Sequence, residues 1–264
     1  MKTAIPVLAS FALLSTTSAQ AVPSATDDII EVAVVVFDGA LTSDIVAPLE
    51  VFGDASKKPW SQKLHVEAVA VGESLQITTE EGLKLTANAL MRNAGDYDAV
   101  IVPSRYGMDA VLENKELIGF IRNQAKSAKW MASNCSGALI LAEAGVLDGK
   151  RATTWAGGEK DFQRKYPDVL VQDDVNFVID DGVLTSNGSI VSYEAAIALL
   201  AQLTDEALAG EVAHDLQFAR IATATPPPRV YWRIVFLAAG AAFIIGGLLA
   251  SLILAFLSSR RAKP

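Results

Sequence analysis

Short, nearly uninterrupted apolar runs alternate with stretches of helical periodicity, and this alternation most constrains how the chain can fold. Residues 29–36 and 98–103 are rich in β-branched side chains, which is typical of strands that are covered on both faces. Between Met108 and Ser127, apolar residues recur at three- and four-residue spacing, which predicts one amphipathic helix. Strands that alternate with helices predict an α/β domain with a mostly parallel sheet.

The other predicted elements continue this alternation. They are a strand at 64–71, a strand leading into Cys135, hairpins at 75–85 and 175–185, and helices at 44–55, 159–166, 189–203 and 204–220. The first hairpin is expected at the edge of the sheet, and the second is expected to turn at Asp180 to Gly182. Because ligands of such sheets bind beyond the carboxyl ends of the strands, the loops after the strands are the predicted site.

The two ends of the chain predict export and membrane anchoring. Residues 1–21 combine a basic start, an apolar run and a small-x-small site, as in a secretory signal peptide. Residues 234–257 carry no charge, and basic residues follow them, which predicts a transmembrane helix with a cytoplasmic C-terminus. The predicted order is signal peptide 1–21, domain 22–222, proline-rich linker 223–229, transmembrane helix 230–258 and cytoplasmic tail 259–264. The domain is then periplasmic or extracellular.

Charge and cysteine content limit the classes of partner. The chain carries 22 basic and 30 acidic residues, a net charge of −8, whereas a nucleic-acid-binding surface is basic. The expected partners are therefore a small-molecule ligand or substrate and a lipid bilayer, with no nucleic acid. No zinc-ligand spacing and no phosphate-binding glycine motif occurs, so no metal and no cofactor is predicted.

Cys135 is the only cysteine of the chain, and it stands where a short strand turns into an alanine- and leucine-rich helix. A side chain at such a turn stands above the sheet beside the positive end of a helix, which favours the thiolate and predicts a lowered thiol pKa. The small residues Ser133, Ser136 and Gly137 favour a tight turn of this kind. The alternative is a small buried core residue, as free cysteines often are.

Two motifs resemble one family. They are Leu41-Thr-Ser-Asp-Ile-Val-Ala-Pro-Leu-Glu-Val-Phe52 after the first strand and Ser133-Asn-Cys-Ser-Gly-Ala-Leu-Ile-Leu-Ala-Glu-Ala-Gly145 at the turn. Both are similar to the ThiJ/PfpI superfamily, and within it to the isonitrile-hydratase branch and to the amino-terminal domains of AraC-type regulators. The resemblance covers about residues 29–202. It implies a flavodoxin-like three-layer sandwich, like that of class I glutamine amidotransferases, and a possible homodimer.

The resemblance also implies site residues. Asp44 matches an acidic residue that faces the cysteine, Cys135 matches the nucleophile, and Ser136 matches the hydroxyl residue that follows it. A carboxyl group facing a thiol acts as a general acid or base. From the residues alone, a helix N-cap is the preferred interpretation of Asp44, and the two roles are compatible. The segment Asn187-Gly-Ser-Ile-Val-Ser192 matches a turn that leads into a late helix and borders the pocket in relatives.

Three departures separate this chain from its relatives, and the smallest is Ala47 in place of the glycine usually found before Pro48. Most relatives have a histidine where this chain has Trp155, and His65 and His214 are expected far from the site, so a Cys-His dyad is not predicted. Ser104 and Arg105 replace two glycines that build an oxyanion hole in relatives. Arg105 is either a solvated loop residue or a pocket residue that pairs with an anionic ligand or with Asp44. The predicted substrate-binding residues are Ser104, Arg105, Trp155, Asn187 and Gly188.

Three functions are open at this point. The first is a membrane-anchored, cysteine-dependent hydrolase or hydratase that acts on a small electrophilic carbon. The second is a non-catalytic ligand-binding domain that keeps the pocket. The third is a domain whose thiol senses oxidants or pairs with another chain. We take the first as the working hypothesis.

Overall fold

The structure is a computed structural model of the 264-residue chain, and it describes residues 29–59, 63–218 and 220. The predicted signal peptide, linker, transmembrane helix and cytoplasmic tail lie outside these residues. Within the part of the chain that is described, no helix is both long enough and apolar enough to cross a membrane.

A seven-stranded sheet forms the centre of the domain. Its strands, in spatial order, are β10 (Phe177–Asp180), β11 (Val183–Ser186), β7 (Trp130–Asn134), β6 (Ala99–Val102), β1 (Ile30–Val36), β2 (Leu64–Ala70) and β5 (Ala89–Leu90). All neighbours are parallel except β10, which pairs antiparallel with β11 as the predicted hairpin. Residues Val32 to Val36 of β1 are fully buried, which confirms a strand covered on both faces.

Two further pairs of strands lie outside this sheet. Strands β3 (Gln76–Thr78) and β4 (Lys84–Thr86) form an antiparallel hairpin, and β8 (Arg151–Ala152) pairs with β9 (Leu170–Val171). The predicted hairpin at 75–85 therefore exists, but it was wrongly placed at the edge of the main sheet. That edge is the two-residue strand β5, which is too short to show an alternating pattern.

Seven α-helices flank the main sheet in the described residues. They are α1 (Thr42–Ala55), α2 (Asp109–Leu112), α3 (Lys115–Gln124), α4 (Gly137–Glu143), α5 (Glu159–Lys165), α6 (Val191–Leu203) and α7 (Glu206–Asp215). Helices α1, α6 and α7 contact one another, and α4 contacts α2 and α3. The arrangement confirms the predicted flavodoxin-like three-layer α/β sandwich.

The single helix predicted from Met108 to Ser127 was wrong, because the chain breaks it at Asn114. The side-chain oxygen of Asn114 accepts hydrogen bonds from the backbone N–H groups of Glu116 and Leu117, each 3.1 Å long. An asparagine in extended conformation that accepts such bonds starts a new helix rather than continuing the old one. The apolar periodicity runs through both helices, so it did not reveal the break.

The chain order reverses between β1 and β6, which lie side by side at the centre of the sheet. In open α/β sheets, ligands bind in the crevice at the carboxyl ends of the strands where this reversal occurs. The loop after β1 leads into α1, which carries Asp44, and Ser104 follows β6. The next strand, β7, leads into Cys135. The topology therefore brings these three residues to one crevice.

Candidate functional site

Cys135 occupies a strained turn between β7 and α4. Its φ angle is +51°, in the left-handed region that costs a residue other than glycine about 1–3 kcal/mol. Its backbone N–H donates a 2.8 Å hydrogen bond to the carbonyl of Ser186 on β11. Gly137 begins α4 against the end of β6, where an added Cβ would lie 2.5 Å from the Val102 carbonyl oxygen. These contacts hold the turn and present the cysteine side chain above the sheet.

Asp44 is fully buried, and its carboxylate accepts four hydrogen bonds. Its Oδ2 accepts from the backbone N–H of Ser104 at 3.2 Å and from the Ser104 hydroxyl at 2.5 Å. Its Oδ1 accepts from the backbone N–H of Ser189 at 3.0 Å and from the Ser192 hydroxyl at 2.9 Å. The capping alternative is wrong, because Asp44 lies inside α1, whose N-cap is Leu41, and its carboxylate accepts from Ser104, Ser189 and Ser192 rather than from that helix.

Gly188 lies between the aspartate and the cysteine. A Cβ at this position would lie 2.4 Å from Cys135 Cβ and 3.1 Å from Asp44 Oδ1, so both side chains border the same backbone atom. The Ser104 hydroxyl, which donates to Asp44 Oδ2, is also close enough to the Cys135 thiol to influence its pKa. Ser104 therefore lies next to both the carboxylate and the sulfur.

The environment of Cys135 raises the pKa of its thiol. Burial is the largest cause, since it disfavours the charged thiolate, and the negative charge of Asp44 acts in the same direction. The neighbouring polar groups of Ser104 and Ser136 act in the opposite direction, towards a lower thiol pKa, without overcoming these effects. The predicted lowering of the thiol pKa was therefore wrong. The position beside a helix start was correct, but the half-buried sulfur and the adjacent carboxylate outweigh it.

A cavity of about 660 Å³ opens above Cys135. Of the predicted site residues, all except the fully buried Asp44 line this cavity: Cys135, Ser136, Ser104, Arg105, Trp155, Asn187 and Gly188. The Asn187 side-chain N–H donates to the Val175 carbonyl at 2.6 Å, and its Oδ1 is buried with no partner in the described residues.

Arg105 lines the cavity but does not pair with Asp44. Its Nε donates to the Tyr106 carbonyl at 3.1 Å, and its guanidinium packs about 3.4 Å from where a Cβ of Gly39 would lie. No carboxylate of the described residues forms an ion pair with it. The alternative of an Asp44–Arg105 pair is therefore wrong, and the solvated and ligand-binding alternatives remain.

Ser104 and Arg105 stand in place of the two glycines that build an oxyanion hole in relatives, and the structure shows a consequence of this replacement. The backbone N–H of Ser104 is occupied by Asp44 Oδ2, so it is not available to a ligand oxygen. The Ser136 hydroxyl donates to the Arg105 carbonyl at 3.2 Å and ties the cysteine turn to the neighbouring loop. The Ser136 N–H is directed at the thiol.

The two histidines lie away from the cavity, as predicted. His65 is on β2, with Nδ1 2.7 Å from Glu31 Oε2, and His214 is an exposed residue of α7 beside Asp215. Neither lines the cavity above Cys135. Among the described residues, no group of three or more His, Cys, Asp or Glu side chains is arranged to hold a metal ion.

Sequence reasoning missed the polar partners of Asp44 and the apolar rim of the cavity. Ser189 and Ser192 lie in the predicted pocket loop and at the start of α6, but the sequence did not indicate that they bind Asp44, since Ser189 donates its backbone N–H. The apolar cavity residues that were missed are Leu41, Tyr106, Met108, Ile190 and Val191. Tyr106 and Ile190 are 70% and 61% exposed, and no sequence pattern marked them.

Comparisons with known proteins agree with this architecture. An isonitrile hydratase from Pseudomonas putida is 32% identical over 144 residues, which cover 54% of this chain and 61% of that protein. The HTH-type transcriptional regulator CdhR of Pseudomonas aeruginosa is 32% identical over 105 residues, 40% of this chain and 31% of the regulator. The chain thus spans less than two thirds of either protein. Because one relative is a transcriptional regulator, the expectation of no nucleic-acid partner is not supported.

Solved structures and a family comparison extend these matches. The crystal structure of Drosophila melanogaster DJ-1beta superposes with a TM-score of 0.64 at 20% identity, covering 72% of this chain and 98% of that one. At this identity the likeness concerns the fold. Residues 30–202 match the DJ-1/PfpI family. The chain therefore belongs to the DJ-1/PfpI family.

Proposed function

We propose that the domain is a cysteine-dependent hydratase that adds water to a small electrophilic carbon, with isonitriles as the substrate class to test first. The observation that carries this proposal is the clustering of the Asp44 carboxylate, the Ser104 hydroxyl that donates to it, and Cys135 beneath one cavity. Nucleophilic catalysis needs a nucleophile and a proton-transfer group within hydrogen-bonding reach of each other. The similarity to an isonitrile hydratase supports the choice of substrate class.

The raised thiol pKa suits this chemistry, because an isonitrile carbon takes up both a nucleophile and a proton. In the first step the Cys135 sulfur bonds to the terminal carbon of R–N≡C, and the thiol proton moves to that carbon. The product is a thioformimidate, R–N=CH–S–Cys135. A thiol that stays protonated before the substrate arrives holds the required proton.

Water completes the reaction in the second step. Its oxygen bonds to the same carbon, one of its protons moves to the nitrogen, and the C–S bond breaks. The other proton returns to sulfur, and the released product is the N-substituted formamide R–NH–CHO. The Ser104 hydroxyl and the Asp44 carboxylate carry protons between water and sulfur, which is general acid–base catalysis.

Two observations favour a second candidate, a ligand-binding or thiol redox-sensing domain. Trp155 stands where relatives have a histidine, so the site lacks a histidine base that could take the proton of the Cys135 thiol. The match to a transcriptional regulator is in line with a domain that binds a ligand without converting it. This candidate predicts binding in the same cavity and no turnover.

Turnover of isonitriles separates the two candidates. The purified chain is incubated with methyl and phenyl isocyanide, and formamide formation is followed by chromatography. Cys135→Ala is expected to abolish turnover, and Asp44→Asn is expected to lower kcat by about 100-fold, within the range for losing a general acid or base. Asp148→Asn is the matched control, since Asp148 is exposed and lines a different cavity, at the start of β7.

Stability measurements keep this test interpretable. Asparagine at position 44 leaves at least one of the Ser104 and Ser189 backbone N–H groups without an acceptor, which costs about 1–3 kcal/mol. Unfolding in urea therefore accompanies each assay, and Ser104→Ala is a milder second variant. No formamide from the folded wild-type chain would contradict the hydratase proposal.

The location of the domain is a separate proposal that rests on residues outside the described part. We propose an exported domain held by a span at 230–258, with a cytoplasmic tail at 259–264, as the sequence predicts. A homodimer is proposed from the family resemblance alone.

A further inference from the structure

Trp155 is tied to the cysteine turn by hydrogen bonds of the segment that precedes it. The Thr154 hydroxyl donates to the Cys135 carbonyl at 3.0 Å, and the Thr153 backbone N–H donates to the Thr185 hydroxyl on β11 at 2.8 Å. Thr153 and Thr154 are both fully buried. The position of the indole is therefore coupled to that of the thiol, although the two residues are 20 positions apart.

Gly158 holds the indole ring in place. The Gly158 N–H donates to the Trp155 carbonyl at 2.9 Å, which closes a tight turn. A Cβ at position 158 would lie 1.9 Å from Trp155 Cε2, 2.2 Å from Cζ2 and 2.4 Å from Cδ2. These distances place the glycine against the ring near its fusion bond, so any side chain at position 158 would displace the ring. The φ of Gly158 is −100°, which does not require glycine. The position therefore needs glycine because a side chain would collide with the ring, and not because of its backbone conformation.

The chemistry of the indole decides what it can do in the cavity. Its N–H donates a hydrogen bond, but the ring accepts no proton, so Trp155 cannot replace the missing histidine as a base. It offers instead a flat apolar surface. Met108, Ile190 and Tyr106 add apolar surface to the same cavity, whereas the polar groups of Ser104 and Ser136 lie beside the thiol.

We propose that Trp155, held in place by Gly158, determines substrate selection in the Cys135 cavity, and that the selected substrates carry a planar apolar substituent next to the reacting carbon. The reacting carbon lies at the polar end, beside the sulfur. The substituent packs against the indole. Selection among substrates rests on the proposed function, because it requires turnover. The packing against Trp155 applies to any electrophile that reaches Cys135.

The test compares two reagents that differ only in their substituent. N-phenylmaleimide and N-methylmaleimide both alkylate thiols, and Cys135 is the only cysteine of the chain. The ratio of their second-order rate constants, phenyl over methyl, is measured on the full chain and divided by the ratio for free cysteine. For the wild type this corrected ratio is expected to be above about 10, the lower end of what one apolar group is worth in a pocket.

Three variants and one control complete the test. Trp155→Ala and Gly158→Ala are expected to bring the corrected ratio close to 1, and Trp155→Phe is expected to keep most of it. Gly210→Ala is the matched control, because an added Cβ there meets no atom within 4 Å. A ratio unchanged in the folded Trp155→Ala chain overturns the inference, and this variant also decides the question if Gly158→Ala does not fold.

Failure of the proposed hydratase function and failure of the inference about Trp155 give different results. If no isonitrile is hydrated, the maleimide ratios still report whether Trp155 selects planar substituents. If isonitriles are hydrated, the phenyl-over-methyl ratio of kcat/KM is expected to fall about tenfold in Trp155→Ala. An equal loss of kcat/KM for both substrates, which leaves the ratio unchanged, would assign Trp155 a structural role instead.

Discussion

Asp44 and Cys135 both border Gly188, and together they leave no space for a side chain at that position. Gly188 also has a φ of +77°, which residues other than glycine rarely adopt. The aspartate is buried, yet each of its oxygens accepts one backbone N–H and one serine hydroxyl. Four hydrogen-bond donors fix the position of the buried Asp44 carboxylate. The Cys135 thiol beside it is held in its protonated form.

The pH dependence of alkylation tests this arrangement. Because the pKa of the Cys135 thiol is raised, first by burial and then by Asp44, the native chain at pH 7 is expected to react with iodoacetamide more slowly than free cysteine. The rate rises as pH passes the ordinary range for a thiol. Asp44→Asn removes a negative charge and shifts this profile to lower pH, while Asp148→Asn leaves it in place. Native alkylation faster than free cysteine at pH 7 would contradict the assignment.

The same pKa direction has a consequence for stability. The folded chain binds the thiol proton more tightly than the unfolded chain does. The resulting stabilisation is fully present below the ordinary thiol pKa, and it is lost as pH rises through the raised pKa of the folded chain.

Helix α3 owes its start to one side chain, and the two helices α2 and α3 replace a longer one. Asn114 accepts from two backbone N–H groups, and its own backbone is extended. The break at Asn114 separates α2, which follows the Ser104 loop, from α3. It lets α2 approach α4, the helix that follows Cys135. A local cap thus affects the shape of the wall around the site.

Removal of this cap has a measurable cost. Asn114→Ala is expected to lower the free energy of unfolding by about 1 kcal/mol, the typical loss for a helix N-cap. Asn123→Ala is the control, because Asn123 lies inside α3 and its side chain only accepts from Lys126. Urea titration measures both. Equal stability of Asn114→Ala and wild type would show that the helix start does not depend on this cap.

At the scale of the whole molecule, the described domain and the predicted membrane anchor occupy separate parts of the chain. Residues 30–202 carry the family match and the complete site, whereas the predicted span begins at residue 230. The proline-rich stretch 223–229 separates them and is expected to act as a short, stiff spacer. We therefore expect the fold not to depend on the predicted anchor, so that cutting between them leaves the cavity unchanged.

Truncation tests the anchor. The full chain is expected in the membrane fraction, and a chain that ends at residue 222 is expected in the soluble fraction, because 24 uncharged residues have been removed with the tail. Both forms should show the same rate of Cys135 alkylation. Recovery of the full chain in the soluble fraction would contradict anchoring.

The sequence by itself determined the layers, the parallel sheet and the turn that carries Cys135. These follow from apolar periodicity and from turn residues, which act over a few neighbouring positions. Family resemblance then brought Asp44, Ser104, Trp155 and Gly188 into one predicted site. The helix break at Asn114 and the edge strand β5 escaped prediction, because a continuous periodicity hid the first and the second is only two residues long.

Only the tertiary structure decided what the site residues do. Asp44 takes its donors from positions 60, 145 and 148 residues away along the chain, so no local pattern could distinguish a cap from a buried acceptor. The direction of the Cys135 pKa shift depends on burial and on that distant carboxylate. Both are long-range properties, since burial and electrostatic contacts arise from the packing of elements that are remote in sequence.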